Sequence, residues 1–205
     1  MDNYEISRDR AQAYFLGFDQ DAIIKTWKLQ HDAGYIYVNF LGRAYRICRR
    51  SGSIYRLWGG QQADFGEVLS MFDLLCHEGK EKYITGRYAP VNSLKGGPRN
   101  AGVGTDFHSK TAQLFDKYPE EFRHACILLG GEPVAMGDIG FRFPVFGDLN
   151  VILKFYHSDE DFSASVTLLW DENTLQYMFY ETVFYIAGFL LSSITQTMEK
   201  NLSQR

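Results

Sequence analysis

Leu149-Asn150-Val151-Ile152-Leu153-Lys154-Phe155-Tyr156, an acidic break at His157-Ser158-Asp159-Glu160-Asp161, and Ser163-Ala164-Ser165-Val166-Thr167-Leu168-Leu169-Trp170 form the segment from which the rest of the chain is read. Two apolar runs of strand length flank a polar turn, the pattern of an antiparallel pair. Phe143-Pro144-Val145-Phe146-Gly147-Asp148 leads into it. Beyond it, Val183, Phe184, Ile186, Ala187, Leu190 and Leu191 recur at helical spacing, so a closing helix is expected to cover one face of the pair. This segment is a core rather than an active site.

Working back toward the N-terminus, Ile139 to Phe143 reads as a short strand, and helical patterns run from Ser109 to Lys117 and from Pro119 to Leu129. Pro119 suits a first helical turn and Gly130-Gly131 an end. Between Lys80 and Ser109 glycine and proline break every period, which predicts a long loop. Ala63 to Glu78 predicts a helix with Phe65, Val68, Leu69, Phe72, Leu75 and Cys76 on one stripe and Gly79 as its stop. Tyr35 to Leu41, Ala44 to Cys48 and Ile54 to Trp58 alternate as a three-stranded meander, with a tight Gly42-Arg43 turn. Two helices precede it, the first over Tyr4 to Asp19 and the second carrying Ile23, Ile24 and Trp27. The expected class is α+β, a single domain over 1–205, with antiparallel strands packed against helices.

The 205 residues are 45% hydrophobic and 22% charged, ordinary for a globular domain, while 16% are aromatic. Half-buried aromatic sheet faces explain the excess more simply than ligand-stacking sites. A net charge of −4 argues against a general nucleic-acid binder, so no nucleic-acid partner is expected. Arg43, Arg46, Arg49, Arg50 and Arg56 give the meander a local basic bias, which alternation assigns to the wet face of a half-buried sheet. The N-terminus has neither the basic start nor the apolar run of a signal peptide, and no apolar run reaches membrane-spanning length. A cytoplasmic protein without a membrane partner is the expectation. Cys48, Cys76 and Cys126 are odd in number and far apart, so free thiols are expected, with no metal and no cofactor.

Three stretches bear a family resemblance: Phe40-Leu41-Gly42-Arg43-Ala44-Tyr45-Arg46, Ile84-Thr85-Gly86-Arg87-Tyr88, and Ala125-Cys126-Ile127-Leu128-Leu129-Gly130-Gly131. With Asp138 through Pro144, and Asn150–Phe155 and Val166–Trp170 ending at Asp171, the chain resembles the domain of unknown function DUF3786 over nearly its whole length. That is a bacterial and archaeal family of uncharacterised proteins, typically from anaerobes. Some members carry cysteine-rich segments suggestive of iron–sulfur clusters, and this chain has none. The resemblance transfers no catalytic residue.

The best candidate for chemistry is the run Lys95-Gly96-Gly97-Pro98-Arg99-Asn100-Ala101-Gly102-Val103-Gly104-Thr105. Glycine lets backbone N–H groups close around an anion, and Arg87, Lys95 and Arg99 would supply charge. His108, with Asp106, stands just beyond, although Asp106 equally suits a helix cap. No P-loop Lys-Ser/Thr is present, and a flexible surface connection is the plainer alternative. The nominated ligand-binding residues are therefore Arg87, Lys95, Arg99 and His108. Three functions follow in order: a non-catalytic small-ligand-binding or accessory protein of anaerobic metabolism, an enzyme acting on a small anionic or phosphorylated substrate, and a self-associating module.

Overall fold

The computed structural model describes residues 3–98 and 109–203. Over these residues the protein is α+β, with two antiparallel sheets of four and five strands. The chain divides into two compact units: Met1–Lys82 with Gln176–Ile186, and Tyr83–Leu175 with Ala187–Arg205.

In the first unit, helices α1 (Asn3–Leu16) and α2 (Gln20–Trp27) lead to β1 (Gln30–His31), β2 (Tyr35–Phe40), β3 (Arg43–Cys48) and β4 (Ile54–Arg56), followed by α3 (Phe65–Cys76). The predicted meander is therefore a four-stranded sheet, because two residues of β1 add to its edge. Strand alternation sends Ile36, Val38, Phe40, Tyr45, Ile47 and Ile54 into the core. Phe40 pairs with Arg43, so the hairpin turn is Leu41-Gly42 rather than Gly42-Arg43. Both turn residues have positive φ, 48° and 71°, the type I′ geometry that matches strand twist. A leucine held there costs about 1–2 kcal/mol, which the near-complete burial of Leu41 offsets.

The caps of this unit follow from acidic residues. Asp19 accepts from the N–H groups of Asp21 and Ala22 at the start of α2. Asp64 and Glu67 form a reciprocal capping box at α3. α3 ends at Cys76 with His77 extended, so Gly79 does not serve as a left-handed helix stop. Its size matters for another reason: a Cβ there would sit 1.8 Å from the Gln176 carbonyl oxygen. Asp73 reaches the last helix, α6 (Tyr180–Ser203), where it accepts from Phe179 N–H at 2.8 Å and from the Thr182 hydroxyl.

The second unit contains β5 (Tyr88–Pro90), α4 (Ser109–Lys117), α5 (Pro119–Leu128), β6 (Glu132–Pro133), β7 (Ile139–Phe146), β8 (Leu149–Tyr156) and β9 (Ser165–Asp171). The expected strand pair is the heart of a sheet ordered β5-β9-β8-β7-β6. Central placement explains why β8 reads as a nearly continuous apolar run. α4 and α5 dock through Phe115 and Phe122, whose rings stack 4.1 Å apart, with Phe155 meeting Phe122 edge-on at 5.5 Å. Pro144 is tolerated inside β7 because the register shifts beside it in a bulge. Among the described residues, the loop expected from Lys80 onward contains β5 and a 3-10 turn at Val91–Ser93.

α6 belongs to both units. Val183 and Ile186 fall in the first, and Ala187, Leu190, Leu191, Ile194 and Met198 in the second, all buried. The expected apolar stripe is thus divided between the two units. Among the described residues no helix is long and apolar enough to cross a membrane.

Candidate functional site

The nominated loop leaves the sheet edge formed by β5, and its root is organised by one carboxylate. Asp171, the last residue of β9, is fully buried. Its Oδ2 accepts from the backbone N–H groups of Thr85 and Gly86 at 2.9 and 2.8 Å and from the Thr85 hydroxyl at 3.0 Å. Its Oδ1 accepts from Asn173 N–H at 2.9 Å. All four donors are neutral, so hydrogen bonding rather than an ion pair makes the desolvated carboxylate tolerable. Gly86 has φ 73°, which lets two successive N–H groups converge on one oxygen.

Neighbouring contacts complete the anchor. Asn173 Nδ2 donates to the Tyr83 carbonyl at 3.0 Å, and Glu172 N–H donates to the Arg87 carbonyl at 2.9 Å. Tyr88, Ala89 and Pro90 then pair with Asp171, Trp170 and Leu169. Burial, reinforced by the negative charge of Asp171, raises the Tyr88 phenol above its ordinary pKa.

Of the nominated residues, Arg87 and Lys95 are described, while Arg99 and His108 lie outside the described residues. Arg87 Nε donates to Glu172 Oε2 at 2.8 Å on the exposed surface. Lys95 stands exposed at a β-turn closed by Gly97 N–H to the Leu94 carbonyl at 3.1 Å. Gly96 takes the third turn position with φ 88°, which accounts for glycine there by backbone geometry alone. Leu94 is buried and pins the turn's near end.

Three further polar clusters were not legible beforehand. Fully buried Glu67 accepts from the Tyr45 hydroxyl, from Arg56 Nη2 at 2.9 Å and Nε at 3.2 Å, and from Asp64 N–H at 2.7 Å. It ties β3, β4 and α3 together, and burial with the Glu67 charge drives the Tyr45 phenol strongly upward. Asp116 accepts from His157 Nδ1 at 2.7 Å and from the Ser158 hydroxyl, which lowers its pKa. The serine donates to the aspartate and not to the imidazole, so this is no relay toward a hydroxyl nucleophile. Asp73 and His77 face each other at 3.4 Å, and the atoms concerned have no hydrogen-bond partner.

The cysteines differ from one another. Burial pushes the Cys76 thiol up to about 12 and the Cys126 thiol higher still. Half-buried Cys48 is lowered, chiefly by a hydrogen bond with Ser51. Neither buried thiol offers a thiolate near neutral pH. Among the described residues no three His, Cys, Asp or Glu side chains gather in metal-binding geometry.

Asp171 is the residue at the loop root that sequence reasoning did not nominate. Its signal was present: an Asp-x-Asn at a strand end, and a Thr-Gly ahead of the loop. Nothing local joins two segments separated by 86 positions. Those two segments coincide with resemblance motifs, whose role is thereby structural: they hold the loop root to β9. No curated protein and no solved structure matches the chain. The sequence profile of the Domain of unknown function (DUF3786) matches residues 19–193, across both compact units, and the chain belongs to that family.

Proposed function

We propose that the chain is a non-catalytic binding protein for a small anion, taken up by the loop that follows β5 and carries Lys95. The observation that supports this reading is the Asp171 anchor. A mere surface connection needs no buried carboxylate at its root, because burying an ion costs several kcal/mol before hydrogen bonds offset it. A binding loop gains from such an anchor, since a rigid base lowers the ordering cost of closing on a ligand. At the turn, Lys95 and Gly96 offer backbone N–H groups that donate no hydrogen bond among the described residues, beside the Lys95 ammonium, which makes no ion pair among them. Arg87 contributes less than expected, because Glu172 already neutralises it.

Calorimetry against inorganic phosphate, pyrophosphate and a panel of phosphorylated metabolites tests the reading, with wild type and a Lys95→Ala, Arg99→Ala double variant. A charge-assisted contact is worth about 1.5–3 kcal/mol, so the double variant is expected to bind at least about tenfold more weakly. Equal affinities, or no binding by the wild type, would reduce the loop to a connection.

A further inference from the structure

The outward face of the first sheet carries three tyrosines around an arginine. Strand register places Tyr37, Arg46 and Tyr55 in one row across β2, β3 and β4, with Gln30 of β1 continuing it. Tyr35 stands beside the row on β2. These side chains alternate with buried Ile36, Val38, Tyr45, Ile47 and Ile54, and so occupy the opposite face. The Arg46 guanidinium carbon lies 5.0 Å from the Tyr35 ring centre and 5.9 Å from that of Tyr55.

Arg46 differs from its basic neighbours. Arg49 is paired with Asp21 and Arg56 with Glu67. Arg46 meets no carboxylate among the described residues, and its Nε is buried without an acceptor. Asp32 touches the row through the Tyr37 hydroxyl, and it also accepts from the N–H groups of Gly34 and Tyr35. Arg50, just beyond β3, is exposed and makes no ion pair among the described residues. The face therefore combines half-buried tyrosine rings with a guanidinium that meets no carboxylate among the described residues.

We propose that this face binds single-stranded nucleic acid, with bases stacked on the Tyr35, Tyr37 and Tyr55 surface and a phosphate on Arg46. Stacking suits any base, because every base presents a π-face, and a planar guanidinium matches a phosphate's geometry. A duplex does not fit, because its bases are already stacked on one another. A flat sheet also suits an extended strand better than a small molecule, which needs a concave site. The net charge of −4 belongs to the whole chain and governs long-range steering, whereas stacking acts at contact. With Arg46 and Arg50 as the cations engaged, the salt dependence is shallow, with a log–log slope of about −0.7 to −1.4.

The experiment is fluorescence anisotropy of a labelled 12-nucleotide uridine strand, and of a duplex of equal length, titrated with the full chain at low salt. Saturable binding of the single strand is expected, with the duplex weaker. Tyr55→Leu and Arg46→Gln, checked for unchanged circular dichroism and melting, should each weaken binding about fivefold or more. Lys95→Ala should bind as wild type does, which separates this face from the loop proposed above. Ultraviolet cross-linking of the wild-type complex is a second readout free of folding effects, and cross-links are expected on the peptides carrying Tyr35, Tyr37 and Tyr55. Absence of saturable binding, or cross-links confined to other segments, would overturn the proposal.

Discussion

Replacing Asp171 by alanine removes four hydrogen bonds at once. The Thr85 hydroxyl can turn to the Arg87 carbonyl, 3.4 Å away, and Gly86 is exposed enough for water to reach its N–H. The N–H groups of half-buried Thr85 and buried Asn173 lose the acceptor described above. At about 1–3 kcal/mol for each buried orphan, plus the loss of charge assistance, the expected destabilisation is about 3–5 kcal/mol. Asp171→Asn behaves differently. With its carbonyl toward Thr85 and Gly86, the amide keeps three of the four bonds and faces its NH2 toward the Asn173 N–H. It also escapes the cost of burying an ion, so its expected destabilisation is about 1–3 kcal/mol. Urea unfolding followed by circular dichroism gives the total, and amide hydrogen exchange locates it at Thr85 and Asn173. An alanine variant with an unchanged midpoint and unchanged exchange at those amides would refute the anchoring role.

Other tests address separate parts of the molecule. Glu67→Ala removes the acceptor of the buried Tyr45 hydroxyl, two hydrogen bonds of Arg56 and half of the α3 capping box, and is expected to cost about 3–5 kcal/mol in chemical unfolding, whereas Tyr45→Phe costs about 1–3 kcal/mol. A thiol-specific reagent applied to native protein near pH 7.5 should modify Cys48 first, with Cys76 and Cys126 reacting only on unfolding; equal rates at all three would contradict the burial and hydrogen bonding described. Asp116 has a folded pKa below its ordinary 3.8, so its contribution is present above that value and is lost as pH falls through the folded value. Melting curves of wild type and Asp116→Asn should therefore differ at pH 6 and converge toward pH 2, and a constant difference would sink the assignment.

The candidate site shows where local pattern runs out. Lys95 and the glycines after it are visible as a break in periodicity, and the turn at Gly96 is the kind that such a break predicts. The anchor beneath it is not visible, because Asp171 looks like any strand-ending aspartate until β9 pairs with β5. Arg87 was nominated for its charge, yet Glu172 claims it, and only the pairing of those strands puts the two together.

Local patterning was sufficient for the α+β class, the β2–β3–β4 meander, the existence of α3 and the β8–β9 pair, since each depends on periods of two or 3.6 residues within one stretch. The edge strands β1, β5 and β6 are two or three residues long, too short to carry a period, and exist only because a longer strand offers them a ladder. Gly79 looked like a helix stop, but the Gln176 backbone is what requires its missing side chain. The burial of Glu67 and Asp171, and the division of α6 between two units, likewise belong to the tertiary structure. A sequence displays which side chains can be buried; which polar group is worth burying depends on donors that arrive from distant segments.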